Sequence, residues 1–140
     1  LEKRPGSKPK RIEENLQNSP DIAQTIAVTC LALNVPCYLT GLHTLKIKET
    51  DRLVALKTEI EKFGSRVEVT QDSLELFPQE NFSKNVSVAT YNDHRMAMAF
   101  APLGLKVPFE IKDADVVSKS YPGFWEDFQK LNFEVEKTLI

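Results

Sequence analysis

The stretch from residue 52 to residue 77 changes its period partway along, and that change restricts the folds open to the chain. In RLVALKTEIEKFG, Leu53, Leu56, Ile60 and Phe63 recur every three or four residues and Gly64 closes the run. This is the pattern of an amphipathic helix with a glycine stop. RVEVT and SLELF follow, each alternating apolar and polar residues, with Gln71-Asp72 between them. That pattern predicts a β-hairpin with Val67, Val69, Leu74 and Leu76 on its buried face. A helix that feeds a hairpin buries its stripe against the sheet, so the chain is α/β rather than all-helical.

Other segments extend the arrangement. In NSPDIAQTIAVTCLALN, Ser19 suits the cap, Pro20 the first helical position and Asp21 the first turn,. Ile22, Ile26, Cys30 and Leu33 form the apolar stripe. Val35–Leu39 reads as a strand and Thr40-Gly41 as a turn; Lys48 and Glu49 read as a strand end before the second helix. Val86–Ala89 predicts another strand. Asn92 or Asp93 predicts the cap of a third helix running to about Leu103, and Phe109–Ile111 a further strand. A short helix over Gly123–Leu131, carrying Phe124, Trp125 and Phe128, precedes a terminal strand near Phe133–Val135. Residues 1–18, with Lys3, Arg4, Lys8, Lys10 and Arg11 interrupted by Pro5, Gly6 and Pro9, read as a linker-like basic segment, which leaves 19–140 as the folded part.

Composition sets bounds on function. In 140 residues, 41% are hydrophobic and 27% charged, as in a soluble globular chain,. A net charge of -2 argues against a dedicated nucleic-acid binder,, and no apolar run reaches the length of a bilayer span. Cys30 and Cys37 lack metal-ligand spacing and read as reduced core thiols of a cytoplasmic protein; a structural disulfide is the alternative. No glycine-rich phosphate loop is present.

Chemistry gathers at the helix starts. KETDR places Arg52 in a first turn, where the helix dipole opposes a cation by up to roughly 1 kcal/mol. The ordinary explanation is a solvated helix start with Asp51 and Arg52 pairing at the surface. YNDHR repeats the arrangement, with Asp93 at the cap, then His94 and Arg95. Helix amides beside a guanidinium suit a phosphate or carboxylate, and recurrence in one chain weakens the ordinary explanation. Lys119, before the aromatic segment, gains interest if the fold brings it near both arginines. Asp21 and Glu49 are carboxylates suited to acid–base work beside those cations.

Taken together, PDIAQTIAVT, KETDRL, YNDHRMAMAFA and SKSYPGFWEDF resemble, in order, the C-terminal part of the 5-enolpyruvylshikimate-3-phosphate synthase family, over about residues 12–140. The resemblance implies an α/β (α+β) fold of repeated βαβαββ units, the inside-out α/β barrel of enolpyruvyl transferases, of which this chain would hold a partial domain of about two units. It implies transfer of the enolpyruvyl group of phosphoenolpyruvate to the 5-hydroxyl of shikimate 3-phosphate, with no cofactor or metal. By the same resemblance Asp21 and Glu49 are catalytic, and Asp21 and Lys48 contact shikimate 3-phosphate. Arg52, Arg95 and Lys119 hold phosphoenolpyruvate, or glyphosate in its place, and Asp93 and His94 support them. Thr44 falls where some members place an asparagine that contacts the substrate phosphate. The family's N-terminal domain, with its lysine, arginine and serine-rich phosphate contacts, has no counterpart here, so the chain is expected to fold without turning over. An enolpyruvyl transferase using UDP-N-acetylglucosamine and a non-catalytic anion-binding module are the competing readings.

Overall fold

A computed structural model describes residues 2, 5–47 and 51–138. Lys48 and Glu49 therefore lie outside the described residues. The first unit is strand, helix, strand, helix, hairpin: β1 (Ile12–Asn15), α1 (Ala23–Leu33), β2 (Cys37–Thr40), α2 (Arg52–Glu61), β3 (Arg66–Val69) and β4 (Leu74–Phe77). Its strands form one sheet in the order β1-β2-β4-β3, with β1 parallel to β2 and the other pairs antiparallel. This is one complete βαβαββ unit. The second begins as β5 (Ser87–Val88), α3 (His94–Phe100), β6 (Glu110–Ile111), parallel to β5, and α4 (Phe124–Gln129). It has no closing hairpin among the described residues.

β1 corrects the reading of residues 1–18 as a linker. The Ile12 amide donates to the Pro36 carbonyl at 3.0 Å, the Leu16 amide donates to Thr40 at 2.9 Å, and Leu16 is buried. The physical reason the strand was hidden is its composition. IEEN is an edge strand exposed along three of its four residues, so it carries no apolar alternation. Arg11 pins it to the sheet through Glu75 at 2.7 Å.

α1 opens through a 3-10 turn over Pro20–Ile22, and Ser19 makes no side-chain capping bond, contrary to expectation. Asn34 closes the helix in the left-handed region, φ 56°, a conformation asparagine tolerates. Cys30 and Cys37 are buried free thiols. A hydrogen bond with Cys30, together with burial, pushes the Cys37 thiol up from its ordinary value. A 3-10 turn spans His43–Ile47; the strand end expected at Lys48 and Glu49 lies outside the described residues.

α2 buries Leu53, Leu56 and Ile60, followed by Phe63, all at 0% exposure. Phe63 stacks on Phe100 of α3 at 6.1 Å and meets Phe109 edge-on at 5.5 Å. That contact joins the two units through one core. The hairpin forms as predicted, with Val67, Leu74 and Leu76 fully buried and Val69 half-buried. α3 continues as a 3-10 segment over Ala101–Leu105. No strand forms at 133–135 among the described residues. Phe133 instead stacks on Phe128 at 3.8 Å, held by ring contact where no neighbouring strand offers backbone partners. Trp125 donates to the Ala114 carbonyl at 2.9 Å and packs with Ala97, Val116 and Val117, so the aromatic segment serves as core.

Gly41 sits in the turn after β2 at φ 73°, and a Cβ there would meet Asn15 Oδ1 at 2.5 Å and the Gln17 amide nitrogen at 2.6 Å. Both the backbone angle and the space demand glycine. Gly41→Ala is expected to lower stability by roughly 2 kcal/mol or more, read from urea unfolding; a loss under about 0.5 kcal/mol would show that the turn relaxes freely.

Candidate active site

Three separate segments converge on one ion-pair network that is buried at its base. Arg52, the first residue of α2, has a side chain 5% exposed, and Asp93, the residue capping α3, is fully buried. Arg52 Nε donates to Asp93 Oδ2 at 2.7 Å and Nη2 donates to Oδ1 at 3.4 Å, a forked arrangement that fixes both planes. The third guanidinium nitrogen, Nη1, donates to Asp21 Oδ1 at 3.1 Å. Asp21 Oδ2 in turn lies 3.6 Å from Arg95 Nη2. The structure thus brings Asp21, Arg52, Asp93 and Arg95 into direct contact.

The local sequence explains the arrangement. Asp93 has two tasks: its Oδ1 accepts from the Arg95 amide at 2.9 Å, which starts α3, and its carboxylate holds Arg52. Asp51 caps α2 by accepting from the Leu53 and Val54 amides, each at 3.2 Å. The first-turn amides that the sequence offered to an anion are therefore engaged by the chain's own carboxylates, and the guanidiniums carry the site. Arg52 is not the solvated helix-start cation of the ordinary explanation. Two carboxylates offset the unfavourable dipole and the cost of burying its charge.

Above this foundation lies a cavity of about 220 Å³, lined by Asp21, His94 and Arg95, with Thr25, Met98, Ser120 and Tyr121 completing it. Asp21 and Arg95 have side chains 40% exposed, whereas Arg52 lies beneath. Lys119 donates to the Asn92 side chain at 2.6 Å and to its carbonyl at 3.3 Å, which fastens the 3-10 segment Ala114–Lys119 to the residue preceding Asp93. Of the expected site residues described, Asp21, His94 and Arg95 line the cavity and Arg52 and Asp93 support it. Lys119 stands one residue before its Ser120 wall. A larger groove of about 980 Å³ along residues 80–87 and 106–110 includes none of them.

Gln24 was not anticipated. It is 1% exposed, and its Nε2 donates to Asp93 Oδ2 at 3.4 Å. A signal existed, since a glutamine three residues after Asp21 on a helix shares its face. Thr44, half-buried, has a buried hydroxyl without a hydrogen-bond partner among the described residues. No group of three or more histidine, cysteine, aspartate or glutamate side chains among the described residues is placed to hold a metal ion. No helix among them is long and apolar enough to cross a membrane.

Chemically, the Asp21 carboxylate lies between two guanidiniums, those of Arg52 and Arg95. The fold and this network define an α/β chain with a small cavity, lined by Asp21, His94 and Arg95, beside a buried ion pair. The sequence pattern of the family described as EPSP synthase (3-phosphoshikimate 1-carboxyvinyltransferase) matches residues 2–128, and the chain belongs to that family. It is 46% identical over 137 residues to a 3-phosphoshikimate 1-carboxyvinyltransferase of Bacteroides fragilis, covering 96% of this chain and 33% of the relative. A relative of the same name from Laribacter hongkongensis is 39% identical over 112 residues, covering 80% of this chain and 26% of its own length. A solved EPSP synthase of Acinetobacter baumannii shares the fold at a TM-score of 0.71 and 22% identity, over 80% of this chain and 27% of that one. The chain spans about a third of the length of the Bacteroides relative.

Removing one partner of a buried pair leaves the other charge uncompensated. Asp93→Ala is expected to cost about 3 kcal/mol or more, while Arg95→Ala, half in solvent, costs under about 1 kcal/mol. Chemical denaturation of the two variants checks this; equal losses would remove the distinction between foundation and cavity wall.

Proposed function

We propose that this chain supplies part of the active site of an EPSP synthase, which transfers the enolpyruvyl group of phosphoenolpyruvate to the 5-hydroxyl of shikimate 3-phosphate and releases phosphate. That places it in the cytoplasmic route to chorismate and the aromatic amino acids. The observation carrying the reading is the joining of Asp21, Arg52, Asp93 and Arg95 in one network, two of whose members line a cavity, in a member of this family.

The roles follow from position and charge. Arg95 and Lys119 hold the phosphate and carboxylate of phosphoenolpyruvate, and Arg52 joins them once the incoming anion draws Asp21 away. Asp21, released toward the acceptor sugar acid, contacts its hydroxyls and takes the proton of the 5-hydroxyl as that oxygen bonds to C2 of phosphoenolpyruvate. Glu49 exchanges a proton with the methylene carbon, first giving one as the tetrahedral adduct forms. Loss of a proton from the same carbon then expels phosphate and restores the double bond. Lys48 holds shikimate 3-phosphate. Asp93 and His94 keep the arginines in register, so the cations are aligned before charge moves. The reaction uses no cofactor in this reading. The remaining two thirds of the relatives' length supplies an opposing domain with the other cations, and its closure completes the site. The 140-residue chain alone therefore folds without turnover.

The names carried by the relatives favour shikimate 3-phosphate over UDP-N-acetylglucosamine as acceptor. In a full-length enzyme bearing this segment, product forms with shikimate 3-phosphate and not with the UDP-sugar; the reverse would overturn the acceptor. Asp21→Asn is expected to lower kcat at least 100-fold while leaving the affinity for inorganic phosphate equal or tighter, because the internal competitor for Arg95 has lost its charge. Weaker phosphate binding in that variant would show that Asp21 does not compete with the anion.

A further inference from the structure

The roles above make no use of Glu59, a fully buried carboxylate on α2. Its Oε1 accepts from the Tyr91 hydroxyl at 2.7 Å and its Oε2 from the Ala89 amide at 3.1 Å. Lys62 Nζ lies 2.6 Å from Oε2 and also donates to the Ser87 carbonyl at 2.9 Å. Every one of these bonds except the one to Lys62 reaches from α2 to residues 87–91. A buried charge is costly where an apolar side chain would pack, so the donors on that loop account for a carboxylate here.

The loop needs holding. Tyr91 and Asn92 lie in the left-handed region, at φ 53° and 56°, which non-glycine residues enter in succession only when their surroundings over-determine them. The Asp93 amide closes the turn on the Thr90 carbonyl at 2.9 Å, and the Thr90 hydroxyl donates to Lys112 at 3.0 Å. Asn92, turned outward, receives Lys119. The residues that follow are Asp93, His94 and Arg95. Burial and the adjoining Glu59 carboxylate push Tyr91 up to about 12, so its hydroxyl remains a donor near neutral pH.

We propose that Glu59 is a positioning residue for the anion site: by gripping Ala89 and Tyr91 it holds the strained 90–93 turn, so that Asp93 meets Arg52, Asn92 meets Lys119 and Arg95 faces the cavity. The proposal rests on reading that cavity as the phosphoenolpyruvate site. It acts through the loop and requires no contact between Glu59 and substrate.

Two measurements test it. Amide hydrogen exchange on this chain is expected to quicken at Asp93 and Arg95 in Tyr91→Phe and Glu59→Gln, with the α2 amide of Ile60 unchanged. Unaltered exchange at 93 and 95, or equal quickening along α2, would overturn the positioning role. In a full-length enzyme bearing this segment, Glu59→Ala is expected to raise KM for phosphoenolpyruvate roughly tenfold, leave KM for shikimate 3-phosphate unchanged, and be partly rescued by Glu59→Gln. A loss of active protein with both KM values unaltered, or both raised alike, would also overturn it. Failure of the unsubstituted enzyme to consume phosphoenolpyruvate would instead sink the functional reading, and the exchange data would still decide the role of Glu59.

Discussion

The carboxylate of Asp93 is the point on which the rest of the structure turns. It is fully buried, forks onto Arg52, caps α3 through the Arg95 amide and receives Gln24. Through these bonds it ties α1, α2 and α3 together at one end, while Phe63 and Phe100 tie α2 to α3 within the apolar core. A buried ion pair is seldom a large net gain over well-packed apolar side chains. Its retention makes sense where the charge must stay in one orientation, and here Asp21 connects the same guanidinium to Arg95 at the cavity wall.

The site is accordingly layered. A dry layer of Arg52 and Asp93 sets geometry, and a half-exposed layer of Asp21, Arg95 and His94 meets the cavity. Asp21 links the layers. It pairs with both arginines, which lowers the cost of keeping like charges close,. In the proposed function, an entering phosphate or carboxylate would substitute one anion for another without first having to gather the cations. The strained turn at Tyr91 and Asn92 belongs to the same logic, because it delivers three nearby polar residues to different partners: Asn92 to Lys119, Asp93 to Arg52 and the α3 cap, Arg95 to Asp21.

Much of this was legible in the sequence. The 3.6-residue period of α2 and the two-residue period of the hairpin survive because each element has one buried face, so its composition reports its environment. The paired carboxylate and arginine at two helix starts also pointed to the residues that the ion-pair network joins. What escaped did so for identifiable reasons. β1 is a polar edge strand whose pairing rests on backbone bonds. The unpaired 133–135 segment depends on tertiary neighbours rather than local pattern. Burial of Arg52 was invisible because its compensating carboxylates lie 31 and 41 residues away in the chain. Glu59 drew no notice in the sequence, because its partners come from a loop 30 residues on.

The claim that one buried pair organises the site is open to a direct measurement, a double-mutant cycle on Arg52 and Asp93 with Arg52→Met, Asp93→Leu and the double variant. Unfolding free energies are expected to give a coupling of about 2 kcal/mol or more, with the double variant more stable than either single one, because each single substitution strands a buried charge. A coupling below about 0.5 kcal/mol, with the two substitutions simply adding, would contradict the account.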